Sequence, residues 1–302
     1  MIFNLGNIMQ DPLRYLLSLL LMLPGAMLAI SIHESAHGWV AEKCGDPTAR
    51  YAGRITLNPV KHFDPLGFLC ILFVGFGWAK PVPVNPLMYK NYRRDDIKVS
   101  LAGITANLCL FLLCFIILAC CFYPAVGRLD DANGIRITDT DDGYNIQYFR
   151  GQKEGLFVVG EGDGEFIVQY DGAFTVVPTS NIMYAFASLE MSQALFGKVP
   201  GIILHMVLNC MMINLSLAVF NLIPLPPLDG YHVLNDLVLK QDLFAQRRTQ
   251  QISGMVLLAL IMLGNVNSDW DIIGIAINWV RTSVTGGLSA LSRTIAVALG
   301  VI

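Results

Sequence analysis

Two histidines lie four residues apart at the end of the first long apolar run of the chain. The run covers residues 16–32, and the motif HESAH follows it with His33, Glu34 and His37. On a helix, residues i and i+4 share a face, so both imidazoles can hold one metal ion. Glu34 lies beside that face, where a carboxylate can accept a proton from a water molecule. The motif therefore predicts a hydrolytic metal centre. The alternative is a polar cavity between helices that is lined by the same side chains.

A catalytic zinc site needs a third protein ligand beside the two histidines, together with an open position. The candidate is Asp229, in the motif NLIPLPPLDG at residues 221–230. A carboxylate at membrane depth is energetically costly unless it is paired or bound to a metal. Asp229 also suits the N-cap of a helix over residues 231–239, because an aspartate side chain accepts hydrogen bonds from the first helical turn. Its position alone leaves both interpretations open.

The composition of the chain indicates a membrane protein. Charged residues make up 14% of its 302 residues and hydrophobic residues 54%, whereas ordinary globular domains carry roughly a quarter charged residues. The net charge of −3 offers no basic surface for nucleic acid, so we expect no nucleic-acid partner. The 7 cysteines form no CxxC pair and most lie in apolar runs. This argues against a disulfide framework and against thiolate zinc ligands.

The apolar runs have the lengths expected of membrane-spanning helices, which need roughly 17–25 residues. We therefore predict a mainly α, polytopic fold with a core of transmembrane helices. The run at residues 65–78 is too short to span, and we predict a re-entrant or shallow element there. The C-terminal run either spans the membrane or lies along its surface. The remaining runs cover residues 16–32, 97–123, 201–225, 252–266 and, at the C-terminus, 272–302.

The distribution of charge orients these spans. Basic residues dominate the loop between the first two runs, and acidic residues dominate residues 124–200. By the positive-inside rule, the first loop faces the cytosol and the acidic segment lies outside. The ends of the first and third runs, which lead into HESAH and Asp229, consequently meet on the cytosolic side. The chain thus divides into a first membrane segment at residues 1–123, an extracytoplasmic insertion at 124–200 and a second membrane segment at 201–302.

The insertion is predicted to be a small β-domain. Short stretches with strand-like composition are separated by Asp-Gly turns at residues 142–143 and 171–172, which are typical of β-hairpins. Residues 181–196 have helical spacing. The insertion either gates substrates, binds a partner or is a solvated structural insert, and the sequence leaves these alternatives open.

Two further motifs stand between HESAH and NLIPLPPLDG. They are GWAKPVPVNP at residues 77–86 and an Ala-Gly pair that is followed by Asn107. The four motifs together resemble those of the site-2 proteases, the zinc intramembrane metalloproteases. The resemblance covers roughly residues 1–122 and 201–232. One difference is Ile104, where the family often has proline after the Ala-Gly pair.

The resemblance implies a single Zn²⁺ ion and assigns roles to the residues around it. Glu34 is then the catalytic acid/base, and Asn221 helps to position the substrate carbonyl. A capping or packing role is the alternative interpretation of Asn221. The zinc ligands that the resemblance implies are His33, His37 and Asp229.

The motif at residues 77–86 is expected to bind substrate. Its prolines prevent a helix, while Val82 and Val84 alternate as residues of a strand do. The resemblance implies a membrane-associated β-hairpin here, whose edge strand can pair with an extended, unwound substrate. An ordinary proline-rich turn is the alternative. The residues predicted to bind substrate are Lys80, Pro81, Val82, Pro83, Val84 and Asn107.

The sequence thus predicts an intramembrane zinc metalloendopeptidase that cleaves transmembrane or signal-peptide substrate proteins near the cytosolic face. Its expected location is the lipid bilayer of a prokaryotic cell membrane. Many site-2 proteases carry a PDZ domain at the place of the insertion, which is too short for one here, and such a compact core suits a prokaryote. A catalytically silent scaffold of the same fold is one alternative, which the intact Glu34 disfavours. An ion or solute transporter is the other, but the inverted hydropathy symmetry of many transporters is not apparent. The oligomeric state is not predicted.

Overall fold

The structure, a computed structural model, divides the chain into two compact units. The first comprises Met1–Leu112 and Cys210–Arg281, and the second comprises Leu113–Asn209 and Thr282–Ile302. All residues predicted for the metal centre belong to the first unit. The structure describes residues 12–74, 77–130, 135–140, 143–148, 156–162, 165–170, 173–178, 183, 186, 189–239, 247–266 and 271–300.

Helices account for most of the described residues, as the apolar runs predict. Short 3₁₀ turns at Pro59–Lys61 and Pro86–Met88 and a π-helical turn at Asn235–Leu239 lie between them. In chain order the helices are α1 (Pro12–Cys44), α2 (Thr48–Tyr51), α3 (Pro65–Val74), α4 (Tyr92–Asp130), α5 (Leu189–Phe196), α6 (Lys198–Asn221), α7 (Asp229–Leu234), α8 (Arg247–Val266) and α9 (Ile272–Ala298).

Within the described part of the chain, three helices are long and apolar enough to cross a membrane. They contain the stretches Tyr15–Cys44, Tyr92–Pro124 and Lys198–Asn221, with mean hydropathies of 2.1, 2.6 and 2.0. These stretches lie in α1, α4 and α6, so the first three long apolar runs form helices of the length and apolarity that a membrane span needs, as predicted. The run at 252–266 forms most of α8, and the C-terminal run forms α9. That these two helices cross or line the membrane stays a prediction.

A small residue allows α1 and α6 to cross closely within the first unit. A Cβ atom on Gly25 of α1 would lie 2.8 Å from the Cα atom of Cys210 on α6, so a side chain there would push the two helices apart. Such close backbone approach is typical of membrane helices, whose association relies on van der Waals packing between them. The helix that carries HESAH is therefore packed directly against α6.

The predicted short elements between α1 and α4 are formed only in part. α3 has 10 residues, too few to span a membrane, and the re-entrant or shallow position predicted for residues 65–78 stays a prediction. Residues 77–85 are described but contain no strand. The structure thus does not confirm the membrane-associated β-hairpin, which stays a prediction.

The described residues of the second unit include five short antiparallel strands. β1 (Ile135–Thr140) pairs with β2 (Gly143–Tyr148), with Ile135 opposite Tyr148. A second sheet holds three strands in the order β3-β4-β5. These are β3 (Leu156–Gly162), β4 (Glu165–Tyr170) and β5 (Ala173–Pro178). The Asp-Gly turns themselves lie partly outside the described residues. That these strands form a separate extracytoplasmic domain, like the three predicted segment boundaries, stays a prediction.

Candidate metal centre

Three ligand atoms from two distant parts of the chain converge beside α1. The Nε2 atoms of His33 and His37, one helical turn apart, lie 3.0 Å from each other. Oδ2 of Asp229 lies 3.2 Å from Nε2 of His33 and 3.4 Å from Nε2 of His37. Ligand atoms at about 2.0–2.1 Å from a tetrahedral metal ion stand about 3.3–3.4 Å apart. The three atoms therefore have the spacing of one face of a metal tetrahedron.

The carboxylate of Asp229 has the surroundings of a metal ligand. Its Oδ2 atom is buried and, within the described residues, has no hydrogen-bond donor in regular geometry. Burial raises the pKa of Asp229, but its contacts with His33 and His37 lower it more, so the pKa lies well below its usual range. The N-cap position of α7 is occupied by Leu228. Asp229 is thus turned toward the imidazoles rather than capping the helix, and a cation would complete its contacts.

One face of α4 orients both imidazole rings. Nδ1 of His37 lies 2.7 Å from the carbonyl oxygen of Val99, which can only accept a hydrogen bond. Nδ1 of His33 lies 3.3 Å from the side-chain amide of Asn107. Metal-ligating histidines generally use one ring nitrogen for the metal and bond the other to such a partner, which fixes the ring. Both Nε2 atoms are consequently aimed at Asp229.

Gly103 lies between these two partners on α4 and leaves room for the rings. A Cβ atom on Gly103 would lie 2.5 Å from Cε1 of His33 and 2.6 Å from Nε2 of His37. No other residue fits without displacing the imidazoles. Val99, Gly103 and Asn107 are four residues apart and share one helix face, which explains the spacing of the Ala-Gly motif. α4 continues unbroken through Ile104, so the helix that carries Asn107 is kept with isoleucine where the family often has proline.

The loop after α6 holds Asp229 in place. Leu228 is buried with Leu257 and Ile261 of α8, and Oγ of Ser253 donates a hydrogen bond of 3.0 Å to the carbonyl of Pro226. A Cβ atom on Gly230 would lie 2.3 Å from the carbonyl oxygen of Leu222. Glycine is therefore required where α7 begins, because the preceding loop folds back against it.

Glu34 contacts the proline-rich segment at residues 77–86. Its Oε2 atom accepts a hydrogen bond of 2.8 Å from the backbone N–H of Val82. One turn later, a Cβ atom on Gly38 would lie 2.9 Å from Cβ of Ala49 and 3.2 Å from Cγ1 of Val82. The predicted acid/base and the predicted substrate-binding segment are thus in direct contact.

Other polar groups fix the proline-rich segment along its length. The N–H of Lys80 donates to the carbonyl of His62 at 3.0 Å, and the carbonyl of Lys80 accepts from Nη2 of Arg54 at 2.7 Å. The N–H of Asn85 donates to Oδ2 of Asp46 at 2.6 Å. The side chain of Val82 is buried, whereas Lys80, Pro81, Pro83 and Val84 are exposed.

We predict that the substitution Asp46→Asn lowers thermal stability at pH 7. Asp46 is fully buried, and an amide offers one acceptor oxygen where the carboxylate offers two. One backbone N–H, of Asn85 or Thr48, would then lose its partner, at a cost of about 1–3 kcal/mol. The measurement is the melting temperature of both proteins in detergent.

The difference between the two proteins should depend on pH. Burial raises the pKa of Asp46, but hydrogen bonds from Asn85 and Thr48 outweigh it and hold the pKa below its ordinary value. A carboxyl whose pKa falls on folding stabilises the protein above its unfolded pKa of about 3.9, and this stabilisation is lost as the pH falls through the folded pKa. An equal difference in melting temperature at pH 7 and below pH 4 would contradict a role of the charge.

The two predicted asparagines make contacts other than those expected. Asn221, the last residue of α6, donates from its side-chain amide to the carbonyl of Leu217 on its own helix at 2.9 Å. Asn107 is fully buried and contacts His33. Positioning of the substrate carbonyl by Asn221 and substrate binding by Asn107 stay predictions.

Several residues at this site were not found from the sequence. Val99 acts through its backbone carbonyl, which leaves no signature in a sequence. Arg54 and Asp46 lie between α1 and α4 and belong to none of the four motifs. Gly103 belongs to the Ala-Gly motif, and only its four-residue spacing to Asn107 indicates that the two share a helix face.

Comparison with known proteins identifies the family. The model of "Peptidase family M50" matches residues 21–264, which include all the motifs. The chain is 32% identical over 212 residues to "Putative zinc metalloprotease YwhC" of Bacillus subtilis (strain 168), covering 70% of this chain and 66% of that protein. It is 33% identical over 107 residues to "Putative zinc metalloprotease Rip2" of Mycolicibacterium smegmatis (strain ATCC 700084 / mc(2)155), covering 34% of this chain and 41% of that protein.

These alignments extend over just under two thirds of the Bacillus protein and about two fifths of the mycobacterial one. No solved structure matches the chain. The family match nevertheless spans far more than half of the sequence and contains the convergent ligand atoms. The resemblance that the four motifs indicate is confirmed, and the chain belongs to peptidase family M50, the site-2 protease family.

Proposed function

We propose that this protein is a zinc metalloprotease that cleaves transmembrane substrates within or near the membrane. The observation that carries the proposal is the position of His33, Glu34 and His37 on α1. This helix contains a stretch of 30 residues that is long and apolar enough to cross a membrane. Polar side chains in such helices are costly and usually functional. The relatives named as putative zinc metalloproteases support zinc as the metal.

The residues of the chain fit the chemistry of peptide hydrolysis. His33, His37 and Asp229 would hold the zinc ion, which supplies Lewis-acid polarisation of a carbonyl and activation of water when it is bound. Glu34 would take the proton from the attacking water and pass it to the leaving amine. The N–H of Val82 holds Oε2 of Glu34, so this contact orients the carboxylate and leaves Oε1 to carry the proton.

The proline-rich segment would hold the substrate in an extended form. A helical substrate must unwind first, because its own hydrogen bonds occupy the peptide groups. Pro81 and Pro83 have no N–H, so the exposed part of the segment offers mainly carbonyl acceptors to an added strand. Its attachment to Arg54, Asp46 and Glu34 keeps it beside the acid/base. We propose this segment as the substrate-binding site.

The location of the site is part of the proposal. The excess of basic residues between the first two apolar runs supports a site toward the cytosolic side. We propose a cell membrane as the location of the protein and transmembrane or signal-peptide proteins as its substrates. The strands of the insertion would then face the other side.

Reconstitution of the purified protein in liposomes with a single-span test substrate tests the proposal. We expect about one zinc ion per chain, cleavage that is lost on treatment with a zinc chelator, and recovery when Zn²⁺ is added back. Mass spectrometry of the fragments locates the cut. Cleavage that persists after complete zinc removal, or cuts found only in soluble parts of the substrate, would overturn the proposal.

A further inference from the structure

We propose that Asn107 is a positioning residue that selects the tautomer of His33 and so controls whether its Nε2 atom can bind metal. The inference rests on the metal centre of the proposed function and assigns a task to a residue behind it. Asn107 is fully buried on α4. Its side-chain amide nitrogen lies 3.3 Å from Nδ1 of His33, on the side of the ring opposite the ligand cluster.

The metal requires one particular tautomer. A neutral imidazole carries one proton, on Nδ1 or on Nε2. Nε2 of His33 faces Nε2 of His37 at 3.0 Å and Oδ2 of Asp229 at 3.2 Å. For this nitrogen to bind a metal ion, the proton must reside on Nδ1. Nδ1 of His33 must then donate a hydrogen bond, and Asn107 is the partner that the structure places there.

The side chain of Asn107 can serve both tautomers. Its amide nitrogen donates, its Oδ1 atom accepts, and a half-turn of the amide group exchanges the two. In the present orientation, Oδ1 is buried and has no hydrogen-bond partner within the described residues. Turning the amide directs Oδ1 at Nδ1–H of His33, which satisfies this oxygen and frees Nε2 for the metal. We infer that orientation for the metal-bound protein.

The second histidine provides the contrast. Nδ1 of His37 faces the backbone carbonyl of Val99 at 2.7 Å, and a carbonyl can only accept. His37 therefore keeps its proton on Nδ1 whether or not a metal is bound. His33 has a partner that can donate or accept, so without metal its Nε2–H can instead face Asp229. Asn107 thus gives His33 a partner in both states.

Zinc affinity of three variants tests this role. Asn107→Leu removes the acceptor, and loss of such a partner typically weakens metal binding about 10–100-fold. Asn107→Asp keeps an acceptor oxygen for Nδ1–H. Its zinc affinity should stay within about threefold of the wild-type affinity, a smaller change than the loss of a partner causes. The matched control is Asn214→Leu. Asn214 is also fully buried, with Oδ1 lacking a partner in the described chain, but it bonds only to Cys210 on its own helix.

The affinities are measured in detergent by competition with a chromogenic zinc chelator, and the absorption spectrum of Co²⁺-substituted protein reports the ligand set. Wild-type affinity in Asn107→Leu overturns the inference. So does equal weakening in Asn107→Leu and Asn107→Asp, or a comparable loss in Asn214→Leu. Absence of zinc from the wild type would instead overturn the proposed function.

A measurement on the wild type keeps the test independent of whether the variants fold. Ring ¹⁵N chemical shifts of the zinc-loaded protein distinguish a protonated from an unprotonated Nδ1 atom. We expect a protonated, hydrogen-bonded Nδ1 on both His33 and His37. A His33 ring that binds the metal through Nδ1, or that has no proton on it, would refute the role of Asn107.

Discussion

Replacement of Glu34 by glutamine is expected to abolish cleavage while zinc stays bound. The amide oxygen can still accept the hydrogen bond that Val82 donates to Oε2 at 2.8 Å, so the local structure should persist. The amide cannot take up a proton, however, and general acid–base catalysis contributes about 10²–10⁴-fold to such rates. We expect kcat for a reconstituted single-span substrate to fall by about that factor, with zinc content unchanged.

Glu42→Gln serves as the matched control for this experiment. Glu42 lies on the same helix, two turns further on, and its carboxylate pairs with Arg50 at 2.5 Å. We expect this variant to cleave at the wild-type rate. Cleavage by Glu34→Gln at that rate would exclude Glu34 as the acid/base. A wild type that binds zinc but cuts none of the substrates would favour the silent scaffold, and a transport activity that survives the substitution would favour a transporter.

The metal centre was predictable where its chemistry is local in the sequence. His33 and His37 are one helical turn apart, and the apolar run before them requires a helix, so their shared face follows from geometry. The position of Asp229 could not be predicted from local sequence. Its place beside the histidines depends on how the loop after α6 packs on α8, through Leu228 and its buried neighbours. A long-range contact of this kind leaves no local pattern, so only the family resemblance decided between ligand and N-cap.

The fold, too, was predictable where a local pattern determines it and not where long-range packing does. Hydropathy predicted α1, α4 and α6, because a bilayer imposes the length and apolarity of a spanning helix. It did not predict that α4 would supply the partners of both imidazoles, since ring contacts with Val99 and Asn107 arise only once the helices pack. The prolines at residues 81–86 exclude a helix but do not specify a strand, and the described segment 77–85 contains none.

Gly103→Ala tests this packing most directly, and we expect it to eliminate zinc binding. The added methyl group would lie 2.5 Å from Cε1 of His33 and 2.6 Å from Nε2 of His37, well inside van der Waals contact. Both rings would have to move, and the spacing of the three ligand atoms would be lost. Alanine favours a helix over glycine by about 1 kcal/mol, so α4 itself should not be weakened. Zinc content should fall below about a tenth of the wild-type value, because displacing both rings should weaken zinc binding at least as much as the loss of one ring partner, which typically costs about 10–100-fold in affinity.

Gly286→Ala separates this effect from a general response to alanine. Gly286 lies in α9, and a Cβ atom there would meet nothing within 4 Å, so zinc content and cleavage should equal those of the wild type. Because alanine favours a helix over glycine, the melting temperature of Gly286→Ala should be unchanged or slightly raised. Metal analysis of both purified variants decides the question. If Gly103→Ala kept a full zinc ion and wild-type cleavage, the imidazoles would not rest against α4 at this position, and the ligand geometry derived for His33 and His37 would have to be abandoned.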